Sequence, residues 1–191
     1  MPDRTIQVVS SIGSGRTPIS AFDQALTAAG VHNTNLIRLS SVVPAGWAVT
    51  PVAPDAVSFP FTWGDRLYVV QSDARSDQAG EVIGAGIGWV FLDADHGLMV
   101  EHHMHSMDRK PAAVDKAVIQ DIRYSLEDLV RNRGGDPGAK GLVYGHLTAV
   151  ATVTGGQSAC ALVTAIYGAE PWEFEGLDQQ PNTGMTQKLS A

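Results

Sequence analysis

A single cysteine, Cys160, stands in the whole 191-residue chain. That excludes an intrachain disulfide and any zinc site built on cysteines. Lysine is almost as scarce: Lys110, Lys116, Lys140 and Lys188 are the complete set. Lys110 and Lys116 flank a surface-type helical pattern, Lys140 lies in a Gly-Pro loop, and Lys188 sits near the C-terminus. None is placed for the buried Schiff-base role that pyridoxal chemistry requires. If this chain does amine chemistry, its carbonyl comes from elsewhere. Positive charge is also in deficit, with 13 Lys and Arg against 20 Asp and Glu, for a net charge of -7. Nucleic acid and anionic membrane surfaces are excluded as generic partners, and a small cationic substrate suits the field. The start "MPDRTIQ" carries no apolar signal region, and no apolar run approaches a membrane span. The expected location is the cytoplasm.

With 44% hydrophobic residues, the chain can bury the core of one domain. Residues 5–12, "TIQVVSSI", read as a first strand, followed by a Gly-rich loop "GSGRTP". "SAFDQALTAAG" reads as a short helix capped by Ser20 and ended by Gly30. "NLIRLS", "DRLYVVQSD", "EVIGAGIGWVFL", "GLMVEHHMH", "GLVYGHLTAVATVT" and "ACALVTAIYG" read as further strands, and the proline-rich stretch from Pro44 to Pro60 as loop. From Lys110 to Arg133 the stripe Val114, Val118, Ile122, Leu126, Leu129 and Val130 predicts one long amphipathic helix. Strands outnumber helices and often follow one another without a crossover helix. That predicts an α+β sandwich with helices covering sheets rather than a doubly wound parallel sheet. The domain is expected over 1–167, with 168–191 as a loosely held tail.

Three motifs carry potential chemistry. "GSGRTP" lacks the third glycine of a dinucleotide fingerprint, because Pro18 stands there, and it lacks the Gly-Lys-Ser/Thr of a phosphate loop. It reads as a strand-to-helix turn. "EHHMH" places Glu101, His103 and His105 on one face of a strand and His102 on the other. Three such groups could hold a divalent ion, but no fourth ligand is evident, and a strand leaving the core with polar residues at its end accounts for them equally. No metal is assigned. The third motif, "LIRLSSVVPAG", runs an apolar strand into Ser40 and Ser41. The pair could simply end the strand and open the Pro44–Gly46 turn. A hydrolase nucleophile would need a base and an oxyanion hole, and "LSSVV" is unlike the Gly-x-Ser-x-Gly elbow. The peptide bond between the serines could itself be the target.

The run "GSGRTPISAFDQALTAAGVHNTNLIRLSSVVPAG" closely resembles the pyruvoyl-dependent arginine decarboxylases: a Gly-x-Gly loop, an Ala-Phe-Asp-x-Ala-Leu helix, Asn-Leu, a Ser-Ser pair and a Pro-Gly turn. "GLMVEHH" resembles their Gly-Leu-Ile-Ala-Glu strand, and the likeness spans roughly residues 5–165. The resemblance implies cleavage between Ser40 and Ser41 into 1–40 and 41–191, with Ser41 becoming a covalent pyruvoyl group. It implies Asn35 as an aid to cleavage, Glu101 as proton donor and Asp23 as the carboxylate for a substrate guanidinium. It also implies a four-layer αββα sandwich, assembled as a homotrimer of processed chain pairs or a hexamer of them, with sites between subunits. Departures are the histidines after Glu101 and the long tail. A decarboxylase of another amino acid, or an inactive binding or regulatory homologue, stays open beside the reading of L-arginine decarboxylation to agmatine.

Overall fold

The computed structural model describes residues 4–94 and 96–172. Nine strands run in the order β1 Thr5–Gly15, β2 Asn35–Arg38, β3 Val42–Val43, β4 Ala48–Pro51, β5 Arg66–Ser76, β6 Val82–Phe91, β7 Gly97–Ser106, β8 Val143–Thr152 and β9 Ser158–Glu170. Helix α1 spans Pro18–Ala28 and α2 spans Pro111–Arg131. The strands form a five-stranded sheet ordered β2-β5-β9-β1-β4 and a four-stranded sheet ordered β3-β7-β6-β8. Pairings are antiparallel except β1 with β4 and β2 with β5.

Three apolar layers hold four structural ones. Ala21, Ala25 and Ala29 lie with Val9, Leu67 and Leu162 between α1 and the five-stranded sheet. Ile6, Val70, Ile87, Met99 and Val163 fill the space between the sheets. The stripe Val114, Val118, Ile122, Leu126 and Val130 packs on the outer face of the four-stranded sheet, as its 3.6-residue spacing predicted. Cutting a buried Ile122 or Leu126 back to alanine costs about 2–5 kcal/mol. The expected αββα sandwich is the one observed. Among the described residues, no helix is long and apolar enough to cross a membrane.

Glycines let the helices approach. A Cβ at Gly86 would lie 2.8 Å from both Ile122 Cδ1 and Val118 Cγ1. A Cβ at Gly13 would collide with the backbone of Ala21 and Ala25. The glycines of "GSGRTP" thus serve helix packing, and Gly13–Gly15 continue β1 instead of forming the expected loop. The helix after them starts earlier than expected. Thr17 is its N-cap and Ser20 its third residue, in a reciprocal capping box, because Pro18 suits the first helical position. The stretch from Pro44 to Pro60, expected as loop, contains β4 and a short 3-10 turn at Pro54–Ala56. At the other end, β9 extends to Glu170, opposite Arg66 on β5, so residues 168–170 are strand. The rest of the proposed tail, 173–191, lies outside the described residues.

Candidate active site

The Ser-Ser pair is the point where the chain changes sheets. Strand β2 runs parallel to β5 at the edge of the five-stranded sheet, and Leu39 N–H still donates to Val69 O at 2.9 Å. Three residues later Val42 and Val43 pair with Leu98 and Gly97 at the edge of the four-stranded sheet. Ser40 and Ser41 make the crossing.

Ser41 crosses in an unusual conformation. Its φ is 60°, and only Asn33 shares a positive φ among the described non-glycine residues. For an L-residue this backbone costs ~1–2 kcal/mol. It also moves the side chain. Cβ sits about 120° behind the carbonyl carbon in torsion about N–Cα, so a φ of 60° makes Cβ gauche to the carbonyl carbon of Ser40. In a right-handed helical residue Cβ would be anti to that carbon, and the hydroxyl could not reach it. The left-handed φ thus puts the Ser41 Cβ on the side from which a hydroxyl can reach the preceding peptide bond.

Three contacts hold it there. The Ser41 hydroxyl donates to Glu101 Oε1 at 2.7 Å. The Ser41 carbonyl accepts from Met99 N–H at 2.8 Å. The Tyr167 hydroxyl donates to the carbonyl of Val42 at 3.2 Å and lies 3.5 Å from Met99 Sδ. Met99 and Glu101 share one face of β7 because they are two residues apart. Burial, and then the charge of Glu101, push the Tyr167 phenol well above the usual range, so it stays protonated as a donor. Ser72 braces the same corner: its hydroxyl donates to the His102 carbonyl at 2.6 Å and accepts from Gly86 N–H at 3.3 Å, tying the sheets together.

The other candidates fall elsewhere in the single chain. Asn35 begins β2, six residues before Ser41, or roughly 20 Å of extended chain. Its amide Nδ2–H donates to Gly64 O at 2.5 Å. Asp23 lies exposed on α1, which covers the outer face of the five-stranded sheet. Glu101 is itself exposed in one chain.

The histidines have local partners. His102 Nε2 lies 2.8 Å from Ser125 Oγ on α2, and His105 Nδ1 lies 3.4 Å from Glu81. His103 and His105 meet edge to face, with ring centroids 6.3 Å apart. Among the described residues, no group of three His, Cys, Asp or Glu comes together to hold a metal ion. Lys110, Lys116 and Lys140 are all exposed. Cys160 is buried, and burial pushes its thiol up to about 12, which leaves it an inert core residue.

Sequence reasoning missed Tyr167 and the Met99 amide. Tyr167 did carry a signal, as the one phenol ending the apolar run of β9. A backbone donor carries none, because any residue supplies it.

A left-handed serine, with its Cβ gauche to the preceding carbonyl carbon and its hydroxyl bonded to a carboxylate, makes a candidate self-cleaving serine site. The sequence model of the pyruvoyl-dependent arginine decarboxylase (PvlArgDC) family matches residues 5–170. A pyruvoyl-dependent arginine decarboxylase of Halobacterium salinarum is 33% identical over 166 residues, covering 85% of this chain and 93% of that protein. The enzyme of the same name from Methanothermobacter thermautotrophicus is 30% identical over 121 residues, 63% of this chain and 74% of that one. That of Methanocaldococcus jannaschii is 38% identical over 103 residues, 51% of this chain and 57% of that one. The chain belongs to the pyruvoyl-dependent arginine decarboxylase family.

Family membership implies a covalently bound pyruvoyl group. The residues present fit it. Ser41 supplies the three carbons, Met99 N–H already holds the carbonyl oxygen that the group would retain, and Glu101 stands at the side-chain end. Conversion of Cα to a planar ketone would also remove the left-handed strain of an L-residue.

Proposed function

We propose that the chain cuts itself between Ser40 and Ser41, turns Ser41 into a pyruvoyl group, and decarboxylates L-arginine to agmatine and CO2. The observation that carries this reading is the left-handed Ser41 with its hydroxyl on Glu101 at 2.7 Å. Family membership and the relatives' names support the substrate.

In the first stage a bond forms from Ser41 Oγ to the Ser40 carbonyl carbon, and the bond from that carbon to the Ser41 nitrogen breaks. The hydroxyl proton ends on the freed amine. Glu101 positions the hydroxyl by accepting its hydrogen bond. β-Elimination then releases the 1–40 carboxylate and leaves dehydroalanine, which water converts to the ketone with loss of ammonia. Only a residue with a hydroxyl or thiol on Cβ can follow this route.

In the second stage the pyruvoyl ketone supplies the carbonyl that condenses with the substrate amine and takes up the electron pair released with CO2. Met99 N–H points at the carbonyl oxygen of residue 41, where negative charge would gather, and so acts as a fixed donor. Glu101, bonded to the Ser41 side chain, is the group that returns a proton to the substrate carbon. Asp23 is proposed to take the guanidinium through two parallel hydrogen bonds.

Asp23, on α1, and Asn35, at the start of β2 and bonded to Gly64, lie apart from the Ser41–Glu101 contact within one chain, which supports a homotrimer of processed chain pairs, or a hexamer of them, in which a neighbouring copy completes the site. A neighbour would also bury Glu101. The substrate is a small molecule, and the expected location is the cytoplasm. The unit that folds and cuts is proposed as the expected domain, 1–167, extended to the end of β9 at Glu170.

The test is direct. A denaturing gel of purified protein, with CO2 release measured on arginine, lysine, histidine and aspartate, should give two fragments and turnover of arginine. Two fragments with turnover of another amino acid would keep the pyruvoyl reading and remove arginine. An uncut chain without turnover would leave a binding or regulatory homologue.

A further inference from the structure

We propose that Tyr167 is a positioning residue for self-cleavage: its hydroxyl pins the Val42 carbonyl and so keeps Ser41 in the left-handed conformation that aims its hydroxyl at the Ser40 carbonyl carbon. The inference rests on the reading that the chain cuts itself.

The segment that follows the scissile bond is weakly built. Strand β3 is two residues long and pairs on one side only, with β7. Val42 is exposed, so its side chain is not held in the core. A short edge strand of this kind does not hold a strained neighbour by itself. Tyr167 is a different sort of anchor. It is 8% exposed and belongs to β9, the central strand of the five-stranded sheet, paired along its length with β1 and β5. Its ring crosses the space between the sheets and its hydroxyl reaches the Val42 carbonyl at 3.2 Å. Leu39, one residue before Ser40, is tied to the same sheet through its N–H on Val69 O at 2.9 Å. The two serines are therefore held from both sides by one rigid sheet. Without the phenol, Val42 can shift and Ser41 can relax to the negative φ that L-residues prefer. Cβ then swings from gauche to anti, and Oγ leaves the carbonyl carbon.

The cleavage step itself needs only what the chain holds. The Oγ–C bond forms as the C–N bond breaks, and the hydroxyl proton passes to the Ser41 nitrogen. Tyr167 takes no part in that exchange and fixes its geometry.

The experiment follows the full chain made by cell-free translation, with conversion to fragments timed on a denaturing gel. Hydroxylamine is added in a parallel series to trap the ester at Ser41. Tyr167→Phe is expected to slow both spontaneous and hydroxylamine-driven cleavage by about tenfold or more, as loss of reacting geometry does. Tyr68→Phe removes a phenol that bonds Glu170 at 2.9 Å, and it should cut at the wild-type rate. Melting of Tyr167→Phe in a Ser41→Ala background separates position from fold. The account requires a cooperative transition within a few degrees of Ser41→Ala alone, and a rate lost only because the fold has melted contradicts it. Equal cleavage rates for Tyr167→Phe and wild type overturn the inference and leave self-cleavage standing. A wild-type chain that stays uncut removes the reading beneath it.

Discussion

Ser41 and Glu101 lie 60 positions apart in sequence, yet the serine hydroxyl donates to the glutamate carboxylate at 2.7 Å. The contact exists because the chain changes sheets at Ser40–Ser41 and lands on β7, the strand that carries Glu101. On the proposed reading, one carboxylate faces the nucleophile before cleavage and the substrate carbon after it.

Ser41→Ala should remain a single chain, and so should Ser41→Gly, which relaxes the positive φ but has no hydroxyl. Ser40→Ala should still cut, because Ser40 contributes only its carbonyl. A denaturing gel settles all three.

Glu101→Gln should separate the two stages. Glutamine keeps a carbonyl oxygen to accept from the Ser41 hydroxyl, so cleavage should go to completion. It cannot return a proton, so decarboxylation should fall by about 10²–10⁴-fold, the usual contribution of a general acid. Timed gels and CO2 release read the two effects independently. If cleavage stops as well, Glu101 is the required base of the first stage.

Asp23→Asn should cut normally and bind arginine far more weakly. Asp23 is exposed in one chain, so the loss should appear only in the assembled protein, where a neighbour can bury the pair. Removing one partner of a buried ion pair costs about 3–5 kcal/mol. Lysine should be a poor substrate of the wild type, because an ammonium cannot match a two-point contact. The measurement is KM for arginine beside sedimentation of the same sample.

The architecture was legible from the 3.6-residue stripe of α2 and the long apolar strands. The glycines misled locally: Gly13 and Gly15 read as a loop because their role is to admit α1, a contact distant in space. Likewise the serine pair and Glu101 could be named from residues and resemblance. Their meeting could not, because it depends on how two sheets stack. Asn35 and Asp23 show the converse. They are close in sequence to Ser41 and far from it in the single chain, since β2 is extended and α1 lies on the other face.

Alkali should weaken the fold through Tyr167. Its phenol is held above the usual range, so the stability it contributes is complete below about pH 10 and is lost as pH rises through the higher folded value. Melting temperatures of Ser41→Ala should fall above about pH 10. Tyr167→Phe in that background should flatten the decline. An identical decline in both would place the alkaline transition elsewhere.

The central claim, that the crossover between the sheets is a self-cleaving site which makes its own carbonyl, is tested most directly by the intact mass of the freshly purified wild-type protein under denaturing conditions. The account predicts two species, residues 1–40 and residues 41–191, the second lighter by one ammonia than simple hydrolysis would give and closed to N-terminal sequencing. A single full-length mass, or a second fragment that begins with an unmodified serine, contradicts it.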